Sequence, residues 1–370
     1  MKDTWYHVTD AEQIDTPALL LFADRIKANI DTAIAMAGSP ARLRPHVKTH
    51  KSADVTRLML HAGISSFKCA TIAEADMLGA CGAADVLLAY TLSAPKLRRF
   101  IQLQQLYPAT RFSCVADHIA NAALLQEHMQ STGRILPVYI DLNTGMNRSG
   151  IAPEEAEDLC AFVHTASNLE LAGLHAYDGH IRDVDLEQRR RRCDEAFGRV
   201  LNLQQKLHDQ CIPVPGIIAG GSPSFPIHAR RSDVICSPGT FVFWDKGYLD
   251  GCPEQAFLPA AVLLTRIVSN PLSGIVCADL GHKSVASEND LQRRAYFLNA
   301  DGLEAIGHSE EHLVLKVGSN AAIPPVGTLL WALPYHVCPT VALYERAVVI
   351  ENNQVAGEWF ITARNRKLHV

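Results

Sequence analysis

The stretch Leu43–Lys51, LRPHVKTHK, decides how the rest of the chain is read. It holds two histidines, two lysines and an arginine, and it fits a solvated basic loop, a metal site or a strand end presenting one amine. Read as a strand, Leu43–Val47 is the first of eight short apolar runs. The others are Ser66–Ala70, Asp85–Tyr90, Arg111–Val115, Pro137–Leu142, Leu169–Ala176, Gly216–Gly220 and Asp233–Cys236. Between them lie amphipathic stretches such as IAEADMLGACG and IANAALLQEHMQ, where apolar residues recur at three and four. Eight strands alternating with helices over about 200 residues predict an α/β fold, a (β/α)8 TIM-like barrel. A doubly wound open sheet comes second, because no G-x-G-x-x-G turn follows the first strand.

Beyond SPGTFVFWDKGY the texture changes to β-rich runs punctuated by turn signals at Asp301–Gly302 and Asn352–Asn353. The expected organisation is a barrel over 24–248 and a second, mostly β domain from 249–370 together with 1–23, whose PALLLF run supplies a strand.

Composition narrows the function. With 48% hydrophobic and 20% charged residues and a net charge of −5, the chain lacks the basic surface that nucleic acid requires. The one dense basic run, Arg189–Arg192, is flanked by acids in a helical pattern and reads as a solvated face. No apolar run approaches the roughly 20 residues of a membrane span, and the polar amino terminus has no signal-peptide core. The ten cysteines form no framework of short spacings. Cys69, Cys114, Cys236 and Cys277 read as small buried hydrophobes, and a reducing, cytoplasmic setting is expected.

Barrel enzymes collect their chemistry where strands end. Here those ends read HVKTHK, DLNTGMNRSG, HAYDGH, GGSPS and SPGTF. The last two, on adjacent strands, are Gly-rich with hydroxyl side chains, the combination that brings backbone amides close to a phosphate. Lys48, placed after a strand among Pro45, His46 and aliphatic neighbours, is expected to lose charge by desolvation. A neutral amine forms a Schiff base with an aldehyde, and amine plus phosphate grip points to pyridoxal phosphate. Lys51 reads as a solvated cation.

With these motifs together, and with TPALLL, FKCATIAEADML, DVLLAY, DLGHKSV, SEEHLVL and HVCPTVAL in order, the chain resembles the fold-type III pyridoxal-phosphate enzymes. Within them it is similar to the D-serine dehydratase / D-threonine aldolase family over nearly its whole length. The resemblance implies Lys48 as the Schiff-base lysine, Arg148 facing the cofactor ring and its phenolic oxygen, and Tyr177 beside the pyridine nitrogen. It implies Gly221, Ser222, Gly239 and Thr240 as phosphate ligands, Ser222 standing where the family usually carries Thr.

His336 and Cys338 stand at i and i+2, which on an extended strand puts both on one face. By spacing alone such a pair is more often incidental. The family binds a divalent metal at these positions, so the resemblance implies zinc or manganese there, acting on the substrate hydroxyl. The expected function is that of a lyase for small D-β-hydroxy amino acids. As a dehydratase it would act on D-serine or D-threo-3-hydroxyaspartate; as a D-threonine aldolase, with His180 as a candidate base, it would release glycine and an aldehyde. Cys338 resembles the dehydratase branch, and aldolases of the family tend to carry a carboxylate there. An amino-acid racemase is less favoured, since the lysine segment lacks KANAYG. The resemblance implies a homodimer.

Overall fold

The computed structural model describes residues 5–370; the first four, part of the polar amino terminus and of the 1–23 segment, lie outside the described residues. The chain divides into two compact units. One contains Ala33–Lys48, Val55–Gly239 and Asn365–Val370; the other contains the chain up to Thr32, Thr49–Asp54 and Thr240–Arg364.

Strands are numbered along the chain, and β1 (Ala18–Phe22) belongs to the second unit. The first is built on seven parallel strands in sequential order: β2 (Ser66–Cys69), β3 (Asp85–Leu88), β4 (Arg111–Ala116), β5 (Leu136–Leu142), β6 (Leu169–Ala176), β7 (Ile217–Ala219) and β8 (Val234–Cys236). Helices Ile72–Ala80, Ala94–Leu106, Ile119–Gln130, Glu157–Thr165 and Leu186–Asp209 alternate with them. Their starts follow from local chemistry. Thr71 Oγ1 accepts from the Glu74 amide, and the Glu74 carboxylate reaches back to the Ala70 amide, a reciprocal cap. Asp185 accepts from the Gln188 amide at the head of the longest helix.

The expected first strand takes a different form. Leu43–Val47 is not a regular strand but makes isolated parallel bridges, Leu43 to Cys236 and His46 to Lys68. The amides of Arg44 and His46 donate to the carbonyls of Cys236 and Pro238, while Val47 donates to Lys68 and Lys68 to Pro45. The segment therefore closes the gap between β8 and β2. Pro45 has no N–H to give, so the ladder toward β2 is interrupted. The barrel has seven strands and one irregular stave. Its interior carries Leu87, Val115, Tyr139, Ala172 and Ile218. Outside, Phe100 and Phe112 meet edge to face at 5.9 Å, both buried; truncating either to alanine costs about 3–5 kcal/mol.

The second unit is a nine-stranded sheet. Its strands are β1, β9 (Ala261–Leu272), β10 (Ile275–Ala278), β11 (Ala295–Phe297), β12 (Leu303–His308), β13 (Leu313–Val317), β14 (Leu329–Pro334), β15 (Arg346–Glu351) and β16 (Gln354–Phe360). The path runs β12-β13-β10-β9-β1-β15-β16, with β14 also pairing β9 and carrying β11. The amino-terminal strand is thus central: Leu20 pairs with Val262 of β9 and Val348 of β15. The predicted turn at Asn352–Asn353 is a two-residue hairpin with both residues at positive φ, 50° and 62°, which asparagine tolerates.

Two expectations need correction. The HVC stretch is not extended: His336 stands at the amino-terminal boundary of a short helix, Val337–Val341, with Cys338 in its first turn. Pro339 sits where a helix needs no N–H from it, and Thr340 Oγ1 closes the turn on the His336 carbonyl. Arg189, expected on a solvated face, is fully buried, its guanidinium donating to the Asp183 carbonyl at 3.0 Å. Among the described residues, no helix is long and apolar enough to cross a membrane.

Candidate active site

Immediately after the stave, Lys48 turns into a cavity that it lines with Lys68, Asp141, Arg148, His175 and Tyr177. Its own amide donates to Nδ1 of His46 at 3.3 Å. Tyr177 follows β6 and forms the common wall. Lys48 Nζ lies 5.8 Å from the centre of its ring, Lys68 Nζ 5.4 Å and Arg148 Cζ 5.3 Å. Two amines and a guanidinium thus surround one phenol, with cation–π geometry and a lining that attracts anions.

The deeper wall is a hydrogen-bonded chain that crosses the barrel interior. Lys68 Nζ lies 3.4 Å from His175 Nε2, His175 Nδ1 lies 2.7 Å from Asp141 Oδ1, and Ser149 Oγ donates to Asp141 Oδ2 at 3.2 Å. Asp141 and His175 are register partners on neighbouring strands, which aligns them. Burial pushes the Lys68 amine down to about 7, helped by the charge of Lys48 and opposed by Asp141 and Asp178. Burial, with the Lys68 charge, also lowers His175. Burial raises Asp141, but the hydrogen bond and charge of His175, with Ser149 and Lys68, outweigh it and leave the carboxyl below its ordinary value. A neutral His175 then donates from Nδ1 to the Asp141 carboxylate and accepts from Lys68 at Nε2.

On the expected phosphate side the backbone has been cleared of bulk. Gly220 has φ +80°, and a Cβ there would come within 2.7 Å of His228. A Cβ on Gly221 would lie 3.0 Å from the Tyr177 ring. The Gly221 amide donates to Ser224 Oγ, and the Gly239 amide to Ser222 Oγ at 3.4 Å. His180 is half-buried near Gly145, and its Nδ1 has no partner among the described residues. Burial, with the Arg192 charge against that of Asp178, lowers its pKa.

Behind this turn lies a second, closed cluster. His228 Nε2 meets Asp178 Oδ2 at 2.8 Å, Cys193 Sγ lies 3.2 Å from the same nitrogen, and Ser224 Oγ donates to Asp178 Oδ1 at 2.7 Å. Asp178, Cys193 and His228 are close enough to hold a metal. The tautomer opposes it. Arg231 donates to His228 Nδ1 at 2.6 Å, so Nε2 carries the proton and gives it to Asp178. Burial pushes the Cys193 thiol up to about 12, so in this cluster both the thiol and His228 hold protons that an ion would have to displace.

The His-x-Cys pair belongs to the other unit. His336 is exposed and pairs through Nδ1 with Glu288, while Cys338 Sγ lies 3.3 Å from Thr49 Oγ1 and 3.8 Å from Thr240 Oγ1. Asp245, pushed up to about 6 by burial against its hydrogen bonds, accepts from the Val337 and Tyr248 amides and fixes the start of this helix. Partial burial lowers the His336 pKa, but the hydrogen bond and charge of Cys338, then Glu288 and Asp245, raise it to about 9. An imidazole and a sulfur that share a proton beside a carboxylate are the donor set a borderline cation takes in that proton's place.

The alanine racemase N-terminal domain family matches residues 22–246, and a serine dehydratase domain matches 260–350. The chain belongs to this fold-type III family. A D-threonine aldolase of Arthrobacter sp is 28% identical over 362 residues, covering 95% of this chain and 93% of that one. The D-threo-3-hydroxyaspartate dehydratase of Delftia sp. strain HT23 is 26% identical over 355 residues, 90% and 93% of the two chains. The solved D-threonine aldolase of Filomicrobium marinum superposes with a TM-score of 0.88 at 27% identity, covering 97% and 98%.

Pyridoxal phosphate, the cofactor of the fold-type III enzymes, fits the barrel pocket on two counts: the amine of Lys48 in its lining, and a glycine turn against Tyr177 with no room for a Cβ. Sequence reasoning named Lys48, Arg148 and Tyr177, which share the cavity, and Gly221, Ser222 and Gly239 on the turn side. Thr240, named with them, has its hydroxyl near Cys338. Four residues went unnamed: Lys68, Asp141, His175 and Glu288. For Lys68 a signal existed, since a lysine inside the four-residue apolar strand SFKC has to be accommodated by a partner.

Proposed function

We propose that this chain is a pyridoxal-phosphate- and divalent-metal-dependent lyase of D-β-hydroxy amino acids, working as a dehydratase on D-serine or D-threo-3-hydroxyaspartate. The observation that carries the lyase reading is the amine of Lys48 in one cavity with Arg148 and Tyr177. Cys338 carries the choice of dehydratase. A D-threo-3-hydroxyaspartate dehydratase has been solved as one variant with a histidine replaced and as another, in a metal-free form, with a cysteine two positions further on replaced. His336 and Cys338 have that spacing.

In this reading Lys48 would hold the cofactor through its amine, and the same amine would serve as the base for the substrate's α-proton. Arg148 donates to an oxygen of the bound group. Tyr177 would lie beside the pyridine nitrogen, as the resemblance implies. Gly221, Ser222, Gly239 and Thr240 hold the phosphate. His336 and Cys338, with Glu288 orienting the imidazole, hold zinc or manganese. Pyridoxal phosphate supplies the electron sink for a bond broken at the α-carbon, and the metal supplies a Lewis acid for the β-oxygen. Loss of the α-proton and the β-hydroxyl gives a keto acid and ammonia after hydrolysis.

The aldolase alternative has its own support in the Arthrobacter and Filomicrobium relatives and in His180. An imidazole kept neutral by burial can take the hydroxyl proton as the Cα–Cβ bond breaks, giving glycine and an aldehyde. We further infer a cytoplasmic homodimer. All ten cysteines are free, which suits a reducing compartment, and the family resemblance implies the dimer.

The test is to incubate purified protein, pyridoxal phosphate and zinc or manganese with D-serine, D-threonine and D-threo-3-hydroxyaspartate. Keto acid with ammonia is the expected product. Glycine with an aldehyde moves the assignment to the aldolase, and L-isomers alone sink the lyase reading.

A further inference from the structure

We propose that Lys68 is a positioning residue of the cofactor pocket, an interior amine that His175 and Asp141 aim at the group bound to Lys48 and that sets this group's protonation. The inference rests on the reading of this cavity as the pyridoxal-phosphate site. Three observations carry it. Lys68 lines the same cavity as Lys48, with its amine 5.4 Å from the Tyr177 ring centre, about as far as that of Lys48 at 5.8 Å. Yet it is only 2% exposed, on a strand whose neighbours Phe67 and Cys69 are buried and apolar. A charge there is costly, and an apolar side chain of that length would fill the strand without the cost. Finally, the amine is not left alone: His175 Nε2 accepts from it at 3.4 Å, and the Asp141 carboxylate fixes that tautomer.

The surrounding charges define what the amine responds to. Lys48 and Arg44, from the stave, disfavour its proton; Asp141, at the end of β5, and Asp178, after β6, favour it. Arg44 is itself tied to Asp85 of β3 at 2.7 Å. His175, Arg148, Tyr177 and His46 complete the titratable or charged lining. Because Lys48 and Lys68 repel, a proton on Lys68 becomes easier to hold when Lys48 gives up its charge. Direct contact with Lys48 is not required for this coupling.

The experiment follows the absorbance of the pyridoxal-phosphate-loaded protein from about pH 5 to 9, around the ordinary histidine and perturbed lysine range. Wild type is expected to show an inflection displaced above the value of about 7 that Lys68 has beside a charged Lys48, because Lys48 gives up its charge in the adduct. Lys68→Met and Lys68→Gln should flatten it, and Lys68→Arg, permanently charged, should hold the low-pH spectrum throughout. His46→Gln should leave it in place. Natively folded Lys68 variants, judged by circular dichroism, that no longer load the cofactor also support the contact. Any loaded Lys68 variant that keeps the wild-type inflection overturns the inference, as does its loss in His46→Gln. A wild type that loads but shows no inflection overturns it too, whereas a wild type that never forms a coloured adduct refutes the lyase reading instead.

Discussion

Among the described residues of the barrel unit, two aspartate–histidine pairs are buried on both sides, Asp141–His175 and Asp178–His228, at 2.7 and 2.8 Å. Residue types alone would give them one role. Their third partners give them different ones. His175 presents Nε2 to Lys68, an amine that lines the open cavity. His228 has its Nδ1 occupied by Arg231 and its Nε2 by Asp178 and Cys193, with Ser224 tying the carboxylate to the glycine turn. One pair passes hydrogen bonds toward solvent and ligand, while the other closes on itself. What a buried Asp–His pair does is decided by the group at the far nitrogen.

The largest effect that would break this contrast comes from the open side. Lys48→Ala should abolish the absorbance of the loaded protein and cut turnover by roughly 10³-fold or more. The same variant should melt within a degree or two of wild type, because Lys48 is only half-buried. A coloured, active variant would remove Lys48 from the chemistry.

Next comes the metal. His336→Ala should lose the bound ion, measured by elemental analysis, and at least about 10²-fold in activity, since a Lewis acid contributes several kcal/mol. His228→Asn should keep the ion, because the closed cluster holds a proton where a ligand would need a lone pair. Retention by the first variant and loss by the second would reverse the assignment.

Asp178→Asn should destabilise the fold by about 3 kcal/mol by stranding the buried groups around it, read from denaturant midpoints. The pH sense follows. Burial raises the Asp178 carboxyl, but His228, Ser224 and Cys193 outweigh it and leave it below its ordinary value. Its contribution is therefore present above the unfolded value of about 3.9 and is lost as pH falls further. The acid limb of the wild-type stability curve should flatten in the variant. The smallest effect belongs to Ser149→Ala, which removes one hydrogen bond to Asp141 and should cost about 1 kcal/mol with the cofactor spectrum kept.

Much of the scaffold was legible because its signals are local. Leu169–Ala176 has the same bounds as read from its apolar run and as observed. The stave Leu43–Val47 was legible as an extended segment, but the interruption at Pro45 shows only against both neighbours. His336 and Cys338 were read on a strand, and the helix beginning at Val337 brings their side chains into contact by another route. The desolvation argument made for Lys48 applies to Lys68, the fully buried amine of the cavity. Burial depends on how far each strand end protrudes from the barrel, which no single segment encodes. The His175–Lys68 contact joins residues 107 apart and exists only once the barrel closes.

The most direct test of Lys48 as the cofactor's amine is to reduce the loaded protein with borohydride and map the pyridoxyl-bearing peptide by mass spectrometry. The modification is expected on Lys48, within RPHVKTHK. A pyridoxyl group on Lys68 instead would contradict the assignment and exchange the roles of the two amines.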